Sequence, residues 1–140
     1  VSVYLDASVL VALFTRDVFT ARSDAFLRDR SPELLISDFA AAEFTSAVAL
    51  RTRRGDLTRD DARLAFSRFD AWTHRVARRA ETRAADVAAA DALLRRLDLP
   101  LRTPDALNIA IAQREKASLM TFDVKMAAST RALGLAVAAA

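Results

Sequence analysis

The chain contains no cysteine and a single histidine, His74. Without thiols it forms no disulfide, no thiolate metal site and no cysteine nucleophile, a usage that fits a cytoplasmic protein. One histidine is too few for a His-rich zinc centre, and any His-based triad would rest on His74 alone. Only two glycines are present, so the glycine-rich phosphate loops GxGxxG and GxxxxGK[ST] are absent. No run of about 20 apolar residues occurs, so no transmembrane helix is expected. The first ten residues, VSVYLDASVL, are apolar but lack a basic lead and carry Asp6. They read as a first strand rather than a signal peptide. With thiols gone and imidazole scarce, a bound metal would have to be held by carboxylates. Oxygen ligands select a hard cation such as Mg²⁺ or Mn²⁺.

What remains is 140 residues, read as one domain over 1–140. The hydrophobic fraction of 53% is inflated by alanine, which signals helix. The net charge is +3, and only Lys116 and Lys125 among the basic residues are lysine. Arginine suits phosphate, and its distribution says more than the net charge. Ten arginines fall between Arg51 and Arg83 against five acids in the same stretch. That excess is read either as solvated helix faces or as a surface for a polyanion.

Residues 1–5 read as a strand and 8–14 as a helix. A second helix is expected over 20–30, with Ala21, Ala25, Phe26 and Leu27 inward, broken by Ser31-Pro32. A strand at 34–37 leads to a helix capped by Asp38 and stopped at Gly55. Thr58-Arg59-Asp60-Asp61 resembles a capping box opening a helix to about Arg79, with Leu64, Phe66, Phe69, Trp72 and Val76 on its apolar side. A very short strand at 80–82, a helix at 84–97 and a break at Leu99-Pro100 follow. Thr103-Pro104 reads as a cap followed by proline at the first helical position, for a helix to about Lys116. A strand at 118–121, a helix at 123–133 ended by Gly134 and a last strand at 135–137 complete the chain. Short strands alternating with helices predict an α/β fold with a parallel sheet.

Parallel α/β sheets bind ligands beyond the carboxyl ends of their strands, and four acids fall near such places. Asp6 closes the first strand, Glu43 lies in the helix after the second, Asp105 lies in the first turn of the Thr103 helix, and Asp123 follows the 118–121 strand. Asp6, Asp105 and Asp123 each suit a helix start as well. Glu43 is different. It shares a stripe with Phe39, Ala47 and Leu50, which is expected to face the core. A carboxylate there is costly unless an arginine pairs with it or it binds a metal. Four carboxylates in one pocket make electrostatic sense if cations enter, and such ions activate water and stabilise a phosphodiester under attack.

The segments Y-L-D-A-S-V-L-V-A-L, A-A-A-E-F-T-S-A-V-A-L, T-P-D-A-L-N-I-A-I-A and L-M-T-F-D-V-K-M, in this order, resemble the PIN-domain family. The terminal A-L-G-L is similar to the end of many members. Length and spacing are most similar to the VapC-like toxins. The resemblance implies a Rossmann-like three-layer α/β/α sandwich with a short central parallel sheet. It implies an Mg²⁺- or Mn²⁺-dependent endoribonuclease that leaves a 5′-phosphate and a 3′-hydroxyl. Asp6, Glu43, Asp105 and Asp123 would be its metal-binding and catalytic set, with Thr121 orienting the last acid or a water and Ser8 bonding Asp6. Ser46 stands where many members carry asparagine. Implied partners are RNA, a small antitoxin protein that places a basic side chain near the acids, and a second copy in a homodimer.

Arg75, Arg78, Arg79, Arg83 and Arg102 are candidate phosphate contacts, and Trp72 and the phenylalanines are read as core or interface. His74, on a helix among arginines, is read as a surface or packing residue. One alternative is a PIN-like module that binds RNA with little cleavage. Another is a haloacid-dehalogenase-type phosphatase, for which Y-L-D-A-S offers the strand-terminal aspartate. Such enzymes want a second aspartate two residues on, where this chain has Ser8.

Overall fold

In a computed structural model that describes residues 2–30 and 32–138, four parallel strands form one sheet. The strands are β1 (Ser2–Leu5), β2 (Glu33–Ser37), β3 (Ala77–Ala80) and β4 (Ser118–Met120). The helices are α1 (Ala7–Phe14), α2 (Thr20–Arg30), α3 (Asp38–Arg53), α4 (Arg59–Val76), α5 (Ala84–Arg95), α6 (Thr103–Arg114) and α7 (Val124–Ala132). The expected α/β sandwich with a parallel sheet is the observed architecture. No helix among the described residues is long and apolar enough to cross a membrane.

Strand order is β3-β2-β1-β4. The steps from β1 to β2 and from β2 to β3 run the same way, so right-handed crossovers put α1 to α4 on one face. The step from β3 back to β4 runs the other way and sends α5 and α6 to the opposite face. The packing agrees, with α1 against α2, α3 and α4, and α5 against α6. The winding reverses between β1 and β4, which opens a crevice at their carboxyl ends. The central strands are covered on both sides: Val3, Tyr4, Leu5, Leu35 and Ile36 are buried. This is why they read as continuous apolar runs rather than alternating ones.

Several boundaries differ from the sequence reading. The helix expected to reach Arg79 stops at Val76, and 77–80 pair with 34–37 as β3 in place of a strand at 80–82. β3 lies at the sheet edge, where Arg78 and Arg79 face solvent, so no apolar alternation marks it. On α4 it is Ala62, Ala65 and Phe69 that are buried, while Leu64 and Val76 are about half exposed. On α2, Ala21 is exposed and Ser23 is buried. Ser37, not Asp38, caps α3, accepting from the Ala40 N–H at 2.9 Å. Arg102, not Thr103, is the N-cap residue of α6, and Pro104 sits one position further in. α5 ends at Arg95 rather than 97, and α6 at Arg114 rather than Lys116. Lys116 takes the left-handed conformation (φ 55) while the Ala117 N–H bonds back to Ala112 O at 3.0 Å, a Schellman stop made without glycine. Gly55 (φ 84) ends α3 in the same way, with Asp56 N–H bonded to Arg51 O. The last expected strand is a single parallel bridge, Leu119 to Val137. Ser31 of the expected break lies outside the described residues.

Candidate active site

The register that sets Leu5 beside Met120 also sets Asp6 level with Thr121 across the crevice. Asp6 is 5% exposed and caps α1. Its Oδ1 accepts from the Ser8 hydroxyl at 2.6 Å and the Val9 N–H at 3.2 Å, and its Oδ2 accepts from the Thr121 hydroxyl. The two hydroxyls are themselves held by backbone. Ser8 Oγ accepts from the Phe122 N–H at 2.9 Å, and Thr121 Oγ1 accepts from the Asp123 N–H at 3.0 Å. The turn after β1 and the turn after β4 are thereby stitched together around one carboxylate.

The other three acids approach from separate elements. Asp123 caps α7, its Oδ1 accepting from the Met126 N–H at 3.0 Å, and is exposed. Asp105 reaches back to the Arg102 N–H at 3.0 Å. The structural roles that sequence allowed for these acids at helix starts are therefore present, and each leaves carboxylate capacity over. Glu43 is half-buried in the second turn of α3, and its Oε1 accepts from Asn108 Nδ2 at 2.7 Å. Of the stripe expected to face the core, only Phe39 packs against it. Ala40, Ala41, Phe44 and Val48 are buried there, while Glu43 and Ala47 are half-buried and Leu50 is exposed. The core takes the Ala40–Val48 side of α3, and Glu43 turns instead towards Asn108.

Electrostatics link Glu43 with Asp6 and Asp105. Burial pushes the Asp6 carboxyl above its ordinary range, against the pull of Ser8 and Thr121. Glu43 is raised first by burial and then by the charges of Asp6 and Asp105. None of the ion pairs among the described residues involves Asp6 or Glu43; their side-chain partners are two hydroxyls and an amide. Another buried acid shows the contrast. Asp86, 2% exposed on α5, is held by the Arg114 guanidinium at 2.7 and 3.1 Å and by the Arg83 N–H at 2.8 Å. Burial pushes Asp86 up, but Arg114 and the Arg83 N–H outweigh it, and the net shift is downward.

Neutral donors orient a buried carboxylate without cancelling its charge, so Asp6 and Glu43 keep a demand for a cation. All-oxygen donors suit a hard divalent ion. Among the described residues no three acids are gathered closely enough to form a ready-made cage. Mg²⁺ does not require one, because it keeps several waters and uses one or two carboxylates. The residues present fit such an ion in donor type and charge.

A cavity of about 390 Å³ is lined by Asp123, alone of the four acids, with Ser8, Val11, Phe19, Ala47 and Phe122 among others. A larger one of about 460 Å³, bordered by Phe14, Arg16, Asp56 and Arg68, contains none of the four acids. The candidate phosphate-binding arginines divide. Arg78 pairs with Glu33 at 3.1 Å and Glu115 at 3.2 Å, and Arg79 with Asp38 at 2.8 Å. Arg75, Arg83 and Arg102 make no salt bridge within 4.0 Å among the described residues and are exposed; Arg102 stands three residues before Asp105. Sequence reasoning missed Asn108, Tyr4 and Ser37, which lead to Glu43. Asn108 left a signal, as the one polar side chain in the buried run Ala106–Ala112.

Fold and site together define an α/β protein with an acidic centre at the reversal of its sheet. The chain belongs to the PIN-domain family, whose sequence pattern matches residues 3–131. It is 31% identical over 141 residues to Ribonuclease VapC46 of Mycobacterium tuberculosis, spanning 99% of this chain and 97% of that protein. Among solved structures it is similar to VapC20 of Mycobacterium tuberculosis, described as a sarcin-ricin loop cleaving toxin. The TM-score is 0.73 at 20% identity, over 91% of this chain and 94% of that one. It is also similar to VapBC2 from Rickettsia felis bound to a promoter DNA fragment, with TM-score 0.69 at 17% identity, over 99% and 98% of the two chains. These two likenesses show the fold.

Proposed function

We propose that this chain is an endoribonuclease working with Mg²⁺ or Mn²⁺, and the toxin of a toxin–antitoxin pair. The observation that carries the reading is the contrast between the buried acids. Asp86 is neutralised by Arg114, whereas Asp6 and Glu43 sit at the crevice on neutral donors alone. Asp6, Glu43, Asp105 and Asp123 would hold the cation. Once bound, it supplies an acidified water and a positive charge beside the phosphodiester. Ser8 and Thr121 fix the Asp6 carboxylate, and the Thr121 hydroxyl links it to the Asp123 backbone. Arg83 and Arg102 are the better placed RNA contacts, since acids already occupy Arg78 and Arg79, and Arg75 precedes β3 at the end of the sheet away from the crevice. Family membership and the VapC ribonuclease relative support RNA as substrate. The VapBC likeness supports a small antitoxin partner, and an uncompensated acidic crevice suits a basic side chain from such an inhibitor. A homodimer belongs to the same reading.

The test is cleavage of total RNA by purified protein freed of bound partner, with Mg²⁺ or Mn²⁺. EDTA and Asp6→Asn protein serve as controls. Discrete cleavage lost in both controls is the expected result. Cleavage that survives EDTA would sink the cation dependence. Folded protein that binds RNA but cuts none in any metal would favour the binding-module reading. The phosphatase reading has nothing to stand on at Ser8, whose hydroxyl is committed to Asp6.

A further inference from the structure

A chain of hydrogen bonds runs from the end of β2 to Glu43, and each link allows one direction only. The Tyr4 hydroxyl meets Asn108 Oδ1, a carbonyl oxygen, so Tyr4 is the donor. The Tyr4 oxygen must then accept from Ser37 Oγ at 2.6 Å, and Ser37 in turn accepts from the Ala40 N–H at 2.9 Å. Asn108 Nδ2 gives its two protons to Pro104 O at 2.9 Å and Glu43 Oε1 at 2.7 Å. Turning the amide over would set its oxygen against two acceptors, so its orientation is fixed. Tyr4 and Ser37 are fully buried and Asn108 is 3% exposed, so little water competes for these bonds.

We propose that Asn108 and Tyr4 are positioning residues for Glu43. They hold one carboxylate oxygen and leave the other, which accepts no hydrogen bond among the described residues, for a cation. The proposal rests on reading the four acids as a cation-dependent nuclease centre. Packing alone does not require the chain, because buried polar partners replaced together by apolar groups of the same shape cost little. An arginine in place of Asn108 would also hold Glu43, but it would cancel the charge that a cation needs. The neutral amide orients without neutralising, as Ser8 and Thr121 do for Asp6. Tyr4 acts one step further back, keeping the amide from rotating.

The experiment compares wild type with Asn108→Leu, Tyr4→Phe and the double variant. It reads the Mg²⁺ concentration that half-saturates the thermal shift, together with kcat and KM on RNA. Asn108→Leu is expected to raise the Mg²⁺ midpoint about 10–100-fold, the usual range for losing a group that orients a metal ligand. kcat should fall while KM for RNA stays put. Tyr4→Phe moves both in the same direction by less, and the double variant is no worse than Asn108→Leu alone, because Tyr4 acts through Asn108. A folded Asn108→Leu protein with a wild-type Mg²⁺ midpoint overturns the proposal, as do fully additive effects in the double variant. If Asn108→Leu does not fold, Asn108→Ala and Tyr4→Phe carry the same comparison. Wild-type cleavage with unmoved variants sinks the positioning role alone. A wild type with neither Mg²⁺ shift nor cleavage takes the nuclease reading down with it.

Discussion

At the scale of single residues, two kinds of buried carboxylate coexist and respond oppositely to pH. Asp6 has a raised folded-state pKa, so its unfolded form ionises first and stability falls as pH rises through that interval. Asp6→Asn removes the penalty. The metal-free variant should melt a few degrees higher than wild type at neutral pH, where about 1 kcal/mol moves Tm by roughly 2–4 °C for chains of this size. The gain should vanish below about pH 4, where aspartate is protonated in both states. Calorimetry across pH in EDTA checks this, and a gain that persists at pH 3 would contradict it. Mg²⁺ should raise the Tm of wild type by mass action and leave Asp6→Asn unmoved. Asp86 has the opposite sign. Its lowered pKa makes its stabilisation present above the unfolded value and lost as pH falls through the folded one. Arg114→Met strands that carboxylate and is expected to cost about 3–5 kcal/mol in urea titrations, most of it recovered by adding Asp86→Leu.

At the scale of elements, helix starts are closed by side chains within a few residues of the bond they make. The Thr58 box was legible because it is local: Thr58 Oγ1 accepts from the Asp61 N–H and the Asp61 carboxylate accepts from the Thr58 N–H, three residues apart. At the start of α6 it is Asp105, rather than the Thr103 hydroxyl, that closes the box. The two threonines therefore separate in a measurable way. Thr58→Ala should lower stability by about 1 kcal/mol. Thr103→Ala, at a helical position with no capping bond, should stay within about 0.5 kcal/mol. Equal losses in chemical denaturation would mean that α6 is capped by Thr103 after all. β3 was the element least visible beforehand. Its sequence, Ala-Arg-Arg-Ala, has no strand pattern, and it exists because β2 offers an open edge at 34–37.

At the scale of the whole molecule, the excess of arginine between 51 and 83 is partly absorbed by the fold. Arg51 reaches Thr15 and the Arg16 carbonyl, Arg78 lies between two glutamates, and Arg79 holds Asp38. Reversing the charge at Arg78 would put a third acid beside Glu33 and Glu115, mixing a structural effect into any binding effect. Arg102→Glu is the cleaner probe. Each lost phosphate contact should flatten the plot of log affinity for single-stranded RNA against log salt by about 0.7. An unchanged slope, measured by anisotropy, would remove Arg102 from the RNA surface.

The sequence by itself determined what depends on neighbours a few residues apart. Apolar runs became β1, β2 and β4, the Thr58 box and the Gly55 stop bounded their helices, and the alternation of strand and helix specified a parallel sheet. It also placed Asp6 and Asp123 just beyond strand ends and Glu43 on a helix after one. Tertiary structure alone decided which charges are cancelled. Glu43 took Asn108, 65 residues away, where an arginine was equally open, and Asp86 took Arg114. Those choices follow from strand order and register, which bring distant side chains level. The solvation of a buried carboxylate depends on whichever groups the crossovers deliver to it, whatever stands beside it along the chain.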